Sequence, residues 1–211
     1  MPPLACITCG PAYEPLDQVR RITNFSTGEI GAILSEAFMG QGFEVICFRS
    51  ETSTAPGPAG CEVRNFSTNQ SLAGGLRALP RPPHVVLHAA ALCDFVIAGI
   101  EGASGSAKLS SRTGEIRLTL RPAAKVLPEL RGWFPAARII GWKYEMEGTR
   151  EQAVERAAAQ IRESGTDGCV VNGDAYGSGF GLLLQEGGVE HFADKAALAG
   201  HLAQAALPSA G

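Results

Sequence analysis

The chain has 211 residues, 45% of them hydrophobic and 18% charged, with a net charge of −3. That is ample apolar material for a single domain with a buried core, and the 26 Gly and 13 Pro fall in turns without a repeating period, which excludes collagen-like and solenoid architectures. No basic run marks a nucleic-acid surface, no apolar stretch approaches a membrane helix, and the N-terminus enters a strand without a signal-peptide pattern, so a cytoplasmic protein with neither nucleic-acid nor membrane partners is expected.

Leu4 to Thr8 is a short apolar run bounded by Pro and Gly, the mark of a buried strand. From Gly28 the apolar residues Ile30, Ile33, Leu34, Ala37 and Phe38 follow helical spacing, and Gly40 and Gly42 end that helix. Phe43 to Phe48 is a second buried strand, and the crossover makes the two parallel. Residues 50–60 read as a surface loop, Cys61 to Asn65 as a short strand, and 69–80 as a weak helix stopped by Pro80. His84 to Ala91 is a third strong strand, residues 96–107 a mobile Gly/Ser/Ala-rich loop, and Glu115 to Leu120 a strand with alternating faces. Pro122 to Leu127 opens a helix, and Arg138 to Trp142 is a fourth core strand. A helix over about 149–164, a strand from Asp167 to Asn172, a hairpin over 182–192 and a last helix capped by Asp194 complete the chain. The order predicts an α/β fold: a Rossmann-like, doubly wound, mostly parallel sheet with helices on both faces and a small antiparallel β extension.

Between the first strand and first helix lies a long polar loop carrying Glu14, Asp17, Arg20, Arg21 and Asn24, which ends in Ser26-Thr27-Gly28. Two hydroxyls and a glycine at a helix start present backbone N–H groups to an anion, so this is a candidate phosphate site; an ordinary β–α loop with a Ser/Thr cap is the plainer reading. The segment lacks the first glycine of the dinucleotide fingerprint, and the chain has no G-x-x-x-x-G-K-[ST] loop. Small residues end the third strand, and Asp94 follows at once, where ligands of open α/β sheets bind. Lys108 follows the glycine-rich loop, where one cation can be delivered to polyphosphate oxygens. Cys6 and Cys9 form a C-x-x-C along a strand with no second pair, which favours packing over zinc or redox use, and no metal-ligand cluster is found.

The stretch GPAYEPLDQVRRITNFSTGEIG resembles the opening signature of the phosphopantothenoylcysteine synthetase (phosphopantothenate–cysteine ligase) family. Gly10, Glu14, Asp17, Val19, Arg20, Asn24, Ser26, Gly28 and Gly31 stand at that family's fixed positions. The segment after the third strand is similar to the family's A-A-[VM]-[AS]-D-[YF], with Leu92-Cys93 in place of the small pair. Lys108-Leu109-Ser110-Ser111 resembles the standalone bacterial form rather than the Lys-x-Lys-Lys of forms fused to a decarboxylase. Later likenesses weaken: Ala124 stands where proline is common, Trp142 replaces Phe, Asp174 is displaced by one residue, and an acidic run after Gly181 is missing.

The resemblance implies a ligase of coenzyme A biosynthesis that joins 4′-phosphopantothenate and L-cysteine through an acyl-nucleotidyl intermediate. It uses CTP, or ATP, with Mg²⁺ on the triphosphate. It implies catalytic roles for Asn24, Lys108 and Arg20, and phosphate contacts at Gly10, Ser26, Thr27 and Gly28. Nucleotide contacts fall to His88, Ala89, Ala90, Asp94, Lys108, Pro122, Lys125 and Trp142. Arg156 or Arg162 takes the place of a family lysine near the triphosphate, and Arg162 is counted with the nucleotide-binding set. A homodimer is expected from the family and the projecting β pieces. The alternative is a diverged Rossmann-like protein that binds a nicotinamide or flavin nucleotide without ligase activity.

Overall fold

The computed structural model describes residues 1–102, 108–110, 114–185 and 187–207. Parts of the expected glycine-rich loop, Ser111, Glu186 of the hairpin and Pro208 lie outside the described residues. In chain order the elements are β1 (Leu4–Cys9), β2 (Tyr13–Pro15), β3 (Arg21–Thr23), α1 (Glu29–Gly40), β4 (Glu44–Ser50), β5 (Glu62–Phe66), α2 (Asn69–Arg77), β6 (Val85–His88) and β7 (Phe95–Glu101). They continue as β8 (Arg117–Pro122), α3 (Leu127–Trp133), β9 (Arg138–Tyr144), α4 (Arg150–Ser164), β10 (Gly168–Asn172), β11 (Phe180–Leu184), β12 (Val189–Phe192) and α5 (Lys195–Ala205).

Eight strands form one sheet in the order β12-β11-β10-β9-β6-β1-β4-β5. β5 through β10 in that order run parallel, and β11 and β12 add an antiparallel edge. The chain winds outward from β1 to β5, then returns to the middle and winds the other way through β6, β9 and β10. The reversal falls between β1 and β6, the switch point at which a crevice opens beyond the strand ends.

Side-chain alternation assigns the two layers. Ala5, Ile7 and Cys9 of β1 pack with Leu34 and Phe38 of α1 and Leu198 and Leu202 of α5. Leu4 and Cys6 pack on the other face with Leu72 and Leu76 of α2 and Leu130 of α3. Cys6 and Cys9, three residues apart on a strand, therefore point to opposite faces and cannot form one site, in agreement with the packing role expected for them.

Four expectations are corrected. The polar loop after β1 is not wholly irregular: β2 and β3 pair antiparallel within it, Tyr13 opposite Thr23. β7 lies within the stretch expected to be loop, and it pairs with β8 in a two-stranded ribbon with a register shift between Ile97 and Gly99. β6 ends at His88 rather than Ala91, although the N–H groups of Ala89 and Ala91 still bond the carbonyls of Thr8 and Gly10 alongside β1. Pro122 closes β8 rather than opening a helix: the Ala123 N–H continues the ribbon by bonding the Asp94 carbonyl, and α3 starts at Leu127 with Pro128 in its first turn, where a missing N–H costs nothing.

Candidate active site

The long loop leaves β1 at Gly10, whose φ of +84° is in the left-handed region. Gly28, which caps α1, has φ +77°. A Cβ on Gly10 would lie 2.0 Å from Ser53 Oγ, and one on Gly28 would lie 2.6 Å from the same atom. Both glycines are thus required by backbone shape and by the close approach of Ser53. The expected hydroxyl cap is modified: Gly28 is the cap residue, and Thr27 Oγ1 accepts the Glu29 N–H at 3.3 Å. Ser26 lies just before them on the exposed loop.

The turn between β2 and β3 is built on Asp17. Its Oδ1 accepts the N–H groups of Val19 at 2.8 Å and Arg20 at 2.7 Å. Its Oδ2 accepts Arg20 Nε at 2.9 Å and Nη2 at 2.6 Å, an ion pair with two guanidinium donors on one oxygen. Oδ2 also accepts the Leu109 N–H at 3.0 Å, while Arg20 Nη2 donates to the Leu109 carbonyl at 2.5 Å. Burial alone would raise the Asp17 pKa, but the N–H donors of Leu109, Val19 and Arg20 and the guanidinium outweigh it and hold the carboxyl well below the usual carboxylate range. The next segment brings Asn24, whose Nδ2 donates to the Leu92 carbonyl at 2.8 Å. Glu14 accepts the Ile97 N–H at 3.1 Å and ties the loop to the ribbon.

Beyond the carboxyl ends of β6 and β9 lies a cavity of about 470 Å³. His88, Ala90, Asp94, Lys125 and Trp142 line it, five of the residues expected to meet a nucleotide. Ala89, Pro122 and Lys108 are not on its wall. Nor is Arg162, which lies on the exposed side of α4; the arginine α4 supplies to the wall is Arg156, six residues earlier. Leu92 is on the wall, so Asn24 reaches the rim through its carbonyl. Gly10, Arg20 and Ser26 to Gly28 stand outside the cavity in the long loop and at the start of α1.

Among the described residues, four of the five charged residues on the cavity wall are paired. Lys125 meets Asp94, and Glu145, its side chain only 13% exposed, meets Arg156 and, at 3.4 Å, Lys143. His88 is buried, with Nδ1 2.9 Å from Thr8 Oγ1, and burial pushes its pKa down to about 4, so it is neutral. Thr8 Oγ1 also accepts the Ala90 N–H at 3.3 Å, so one hydroxyl ties the His88 ring to the backbone at the strand end. Two lining residues carried no sequence signal. Asn69 accepts the Cys93 N–H at 3.0 Å and donates to its carbonyl at 2.8 Å, pinning the segment beside Asp94. Gln160 Nε2 donates to the Trp142 carbonyl at 3.3 Å. Each is an ordinary helix amide, recognisable only from the backbone it faces.

The arrangement is suited to holding a planar group and a polyanion beside the strand ends. Among the described residues no three His, Cys, Asp or Glu converge to hold a metal.

The sequence pattern of the DNA/pantothenate metabolism flavoprotein C-terminal domain matches residues 4–199. The chain is 31% identical over 166 residues to the coenzyme A biosynthesis bifunctional protein CoaBC of Methanocaldococcus jannaschii, which covers 77% of this chain and 38% of that protein. It is 28% identical over 199 residues to the protein of the same name in Mycobacterium tuberculosis, covering 87% and 46%. The chain thus spans less than half the length of these relatives. A DNA/pantothenate metabolism flavoprotein of Streptococcus pneumoniae superposes with a TM-score of 0.83 at 22% identity, over 95% of this chain and 96% of that one. A Cab2 mutant in complex with phosphopantothenate-cysteine superposes with a TM-score of 0.72 at 19% identity, over 97% and 85%. These superpositions establish the shared fold.

Proposed function

Since the chain belongs to the DNA/pantothenate metabolism flavoprotein C-terminal domain family, we propose that it is a ligase joining 4′-phosphopantothenate to L-cysteine in coenzyme A biosynthesis. The observation that carries this reading is the meeting of distant motifs: the loop of Arg20 and Asn24 is hydrogen-bonded to the backbone at Leu109, next to Lys108, and at Leu92, on the cavity wall.

In this reading the carboxylate of phosphopantothenate attacks the α-phosphorus of a nucleoside triphosphate, and the bond to pyrophosphate breaks. The amine of cysteine then attacks the acyl carbon, and the nucleoside monophosphate leaves. Such chemistry rests on positioning and on charge stabilisation. The base lies in the cavity against Trp142, beside the neutral His88 ring. Asn24, held by Leu92, turns its carboxamide to the acyl-nucleotidyl intermediate, Lys108 offsets charge at the α-phosphate, and Gly10 with Ser26 to Gly28 hold a phosphate. The described residues supply no carboxylate cage, so Mg²⁺ enters as the complex of the triphosphate cosubstrate, CTP or ATP, bound mainly through phosphate and water oxygens.

The test is pyrophosphate release with phosphopantothenate, cysteine, Mg²⁺ and either CTP or ATP. Release that requires phosphopantothenate and collapses in Lys108→Gln and Asn24→Asp is expected. A folded protein that releases none with either nucleotide, yet is thermally stabilised by NADPH or purifies yellow, overturns the reading in favour of a diverged nucleotide- or flavin-binding protein.

A further inference from the structure

Leu109 is held from both sides by one ion pair. Its N–H ends on Asp17 Oδ2 at 3.0 Å and its carbonyl on Arg20 Nη2 at 2.5 Å, across about ninety residues of sequence. Asp17 is the hub of this clamp. Its side chain is only 3% exposed, it accepts two further backbone N–H groups from its own turn, and it orients Arg20 through Nε and Nη2. Arg20, by contrast, is 42% exposed, so part of its guanidinium remains at the surface of the site. Leu109 itself is 7% exposed, so the clamped residue is also packed.

We propose that Asp17 is the positioning residue for Lys108: through Arg20 and the Leu109 backbone it fixes the segment from which the lysine reaches the reacting phosphate. This rests on the ligase reading, in which Lys108 meets the α-phosphate. The physical argument is entropic. A lysine carries several rotatable bonds, and its backbone adds more if the segment is loose. Two hydrogen bonds, one on each backbone group of the adjacent residue, order that backbone before substrate arrives, so less freedom is lost in the transition state. Asp17 touches no substrate in this scheme; it acts through the lysine.

The test is a double-substitution cycle in the intact chain, with pyrophosphate release followed under enzyme excess so that slow variants remain measurable. Asp17→Asn is expected to lower the rate by about 10²-fold, the scale of a misplaced reacting group, with little change in the phosphopantothenate KM. In a Lys108→Gln background the same change is expected to cost less than about 2-fold, because the lysine through which it acts is gone. Losses that multiply in the double variant overturn the proposal, since a merely structural Asp17 would lower both backgrounds alike.

The second readout is amide exchange at Leu109. Asp17→Asn, or Asp17→Ala if the first variant unfolds, is expected to speed exchange of that amide while the amides of β1 and β6 stay protected. Unchanged Leu109 exchange in a folded variant also overturns it. An inactive wild type with a protected Leu109 amide means that the ligase reading has failed and the lysine role with it, although the clamp exists. An active wild type with an unprotected Leu109 amide means that the clamp alone has failed.

Discussion

His88 couples the site to acid stability. Its pKa falls from 6.5 in the open chain to about 4 in the folded one because burial disfavours the charged ring. The native state therefore binds fewer protons than the unfolded state between these values. The contribution is complete above pH 6.5, declines as pH falls toward 4, and amounts over that window to a loss on the order of 3 kcal/mol. Urea denaturation at pH 7 and pH 4.5 should show this decline in the wild type and a flatter profile in His88→Gln; equal slopes would refute it. Gly10 makes a steric prediction. Gly10→Ala must carry a Cβ at φ +84° against Ser53 Oγ and against Ser50 Cβ at 2.9 Å. A loss of about 1–3 kcal/mol is expected, read as a lower Tm. Adding Ser53→Ala should recover part of it, the contact part, while the backbone strain stays.

α4 shows how an element delivers side chains to the cavity. Thr149 caps it, accepting the Gln152 N–H at 3.3 Å, while Gln152 Oε1 accepts the Thr149 N–H at 3.0 Å. Ala153, Ala157 and Ile161 bury one stripe against β10, which turns Arg156, Gln160 and Glu163 to the cavity wall. Thr149→Ala removes the reciprocal cap and should cost about 1 kcal/mol. In a chain of this size that is a Tm drop of about 2–4 °C, measurable by calorimetry. Thr and Gln three residues apart before an apolar stripe are the local pattern of such a cap. The ribbon of β7 and β8 was only half legible. β8 alternates, and β7 opens on the apolar Phe95-Val96-Ile97, but Ala98 and Gly99 interrupt that run just before the Gly/Ser/Ala-rich stretch, so it reads as the start of a loop. It is a strand because β8 lies beside it and Glu14 holds the Ile97 N–H, and both partners are distant in sequence.

For the molecule as a whole, that ribbon projects apolar side chains into solvent: Phe95, Leu118 and Leu120 are all exposed, and Val19, Ile22 and Phe25 add others along the long loop. A second copy of the chain is the proposed cover. Sedimentation should give a dimer, and Leu118→Glu with Leu120→Glu should give a folded monomer; a monomeric wild type would end the proposal.

By itself the sequence determined the doubly wound α/β class, the core strands and most helix limits, while the strand order came from the tertiary structure. Strands buried on both faces must be nearly continuous apolar runs, and helices covering them must repeat at 3.6, so the pattern is written locally. The family resemblance marked Gly10 and Gly28, and their positive φ angles give the physical reason. Tertiary structure alone decided which charges meet. That Asp17 would grip Leu109, that Asn69 would pin Cys93, and that Arg156 rather than Arg162 would reach the cavity depend on how the crossovers bring separate strand ends together. Hydrogen bonds to backbone groups leave no residue type behind at the receiving position, so no local pattern could record them.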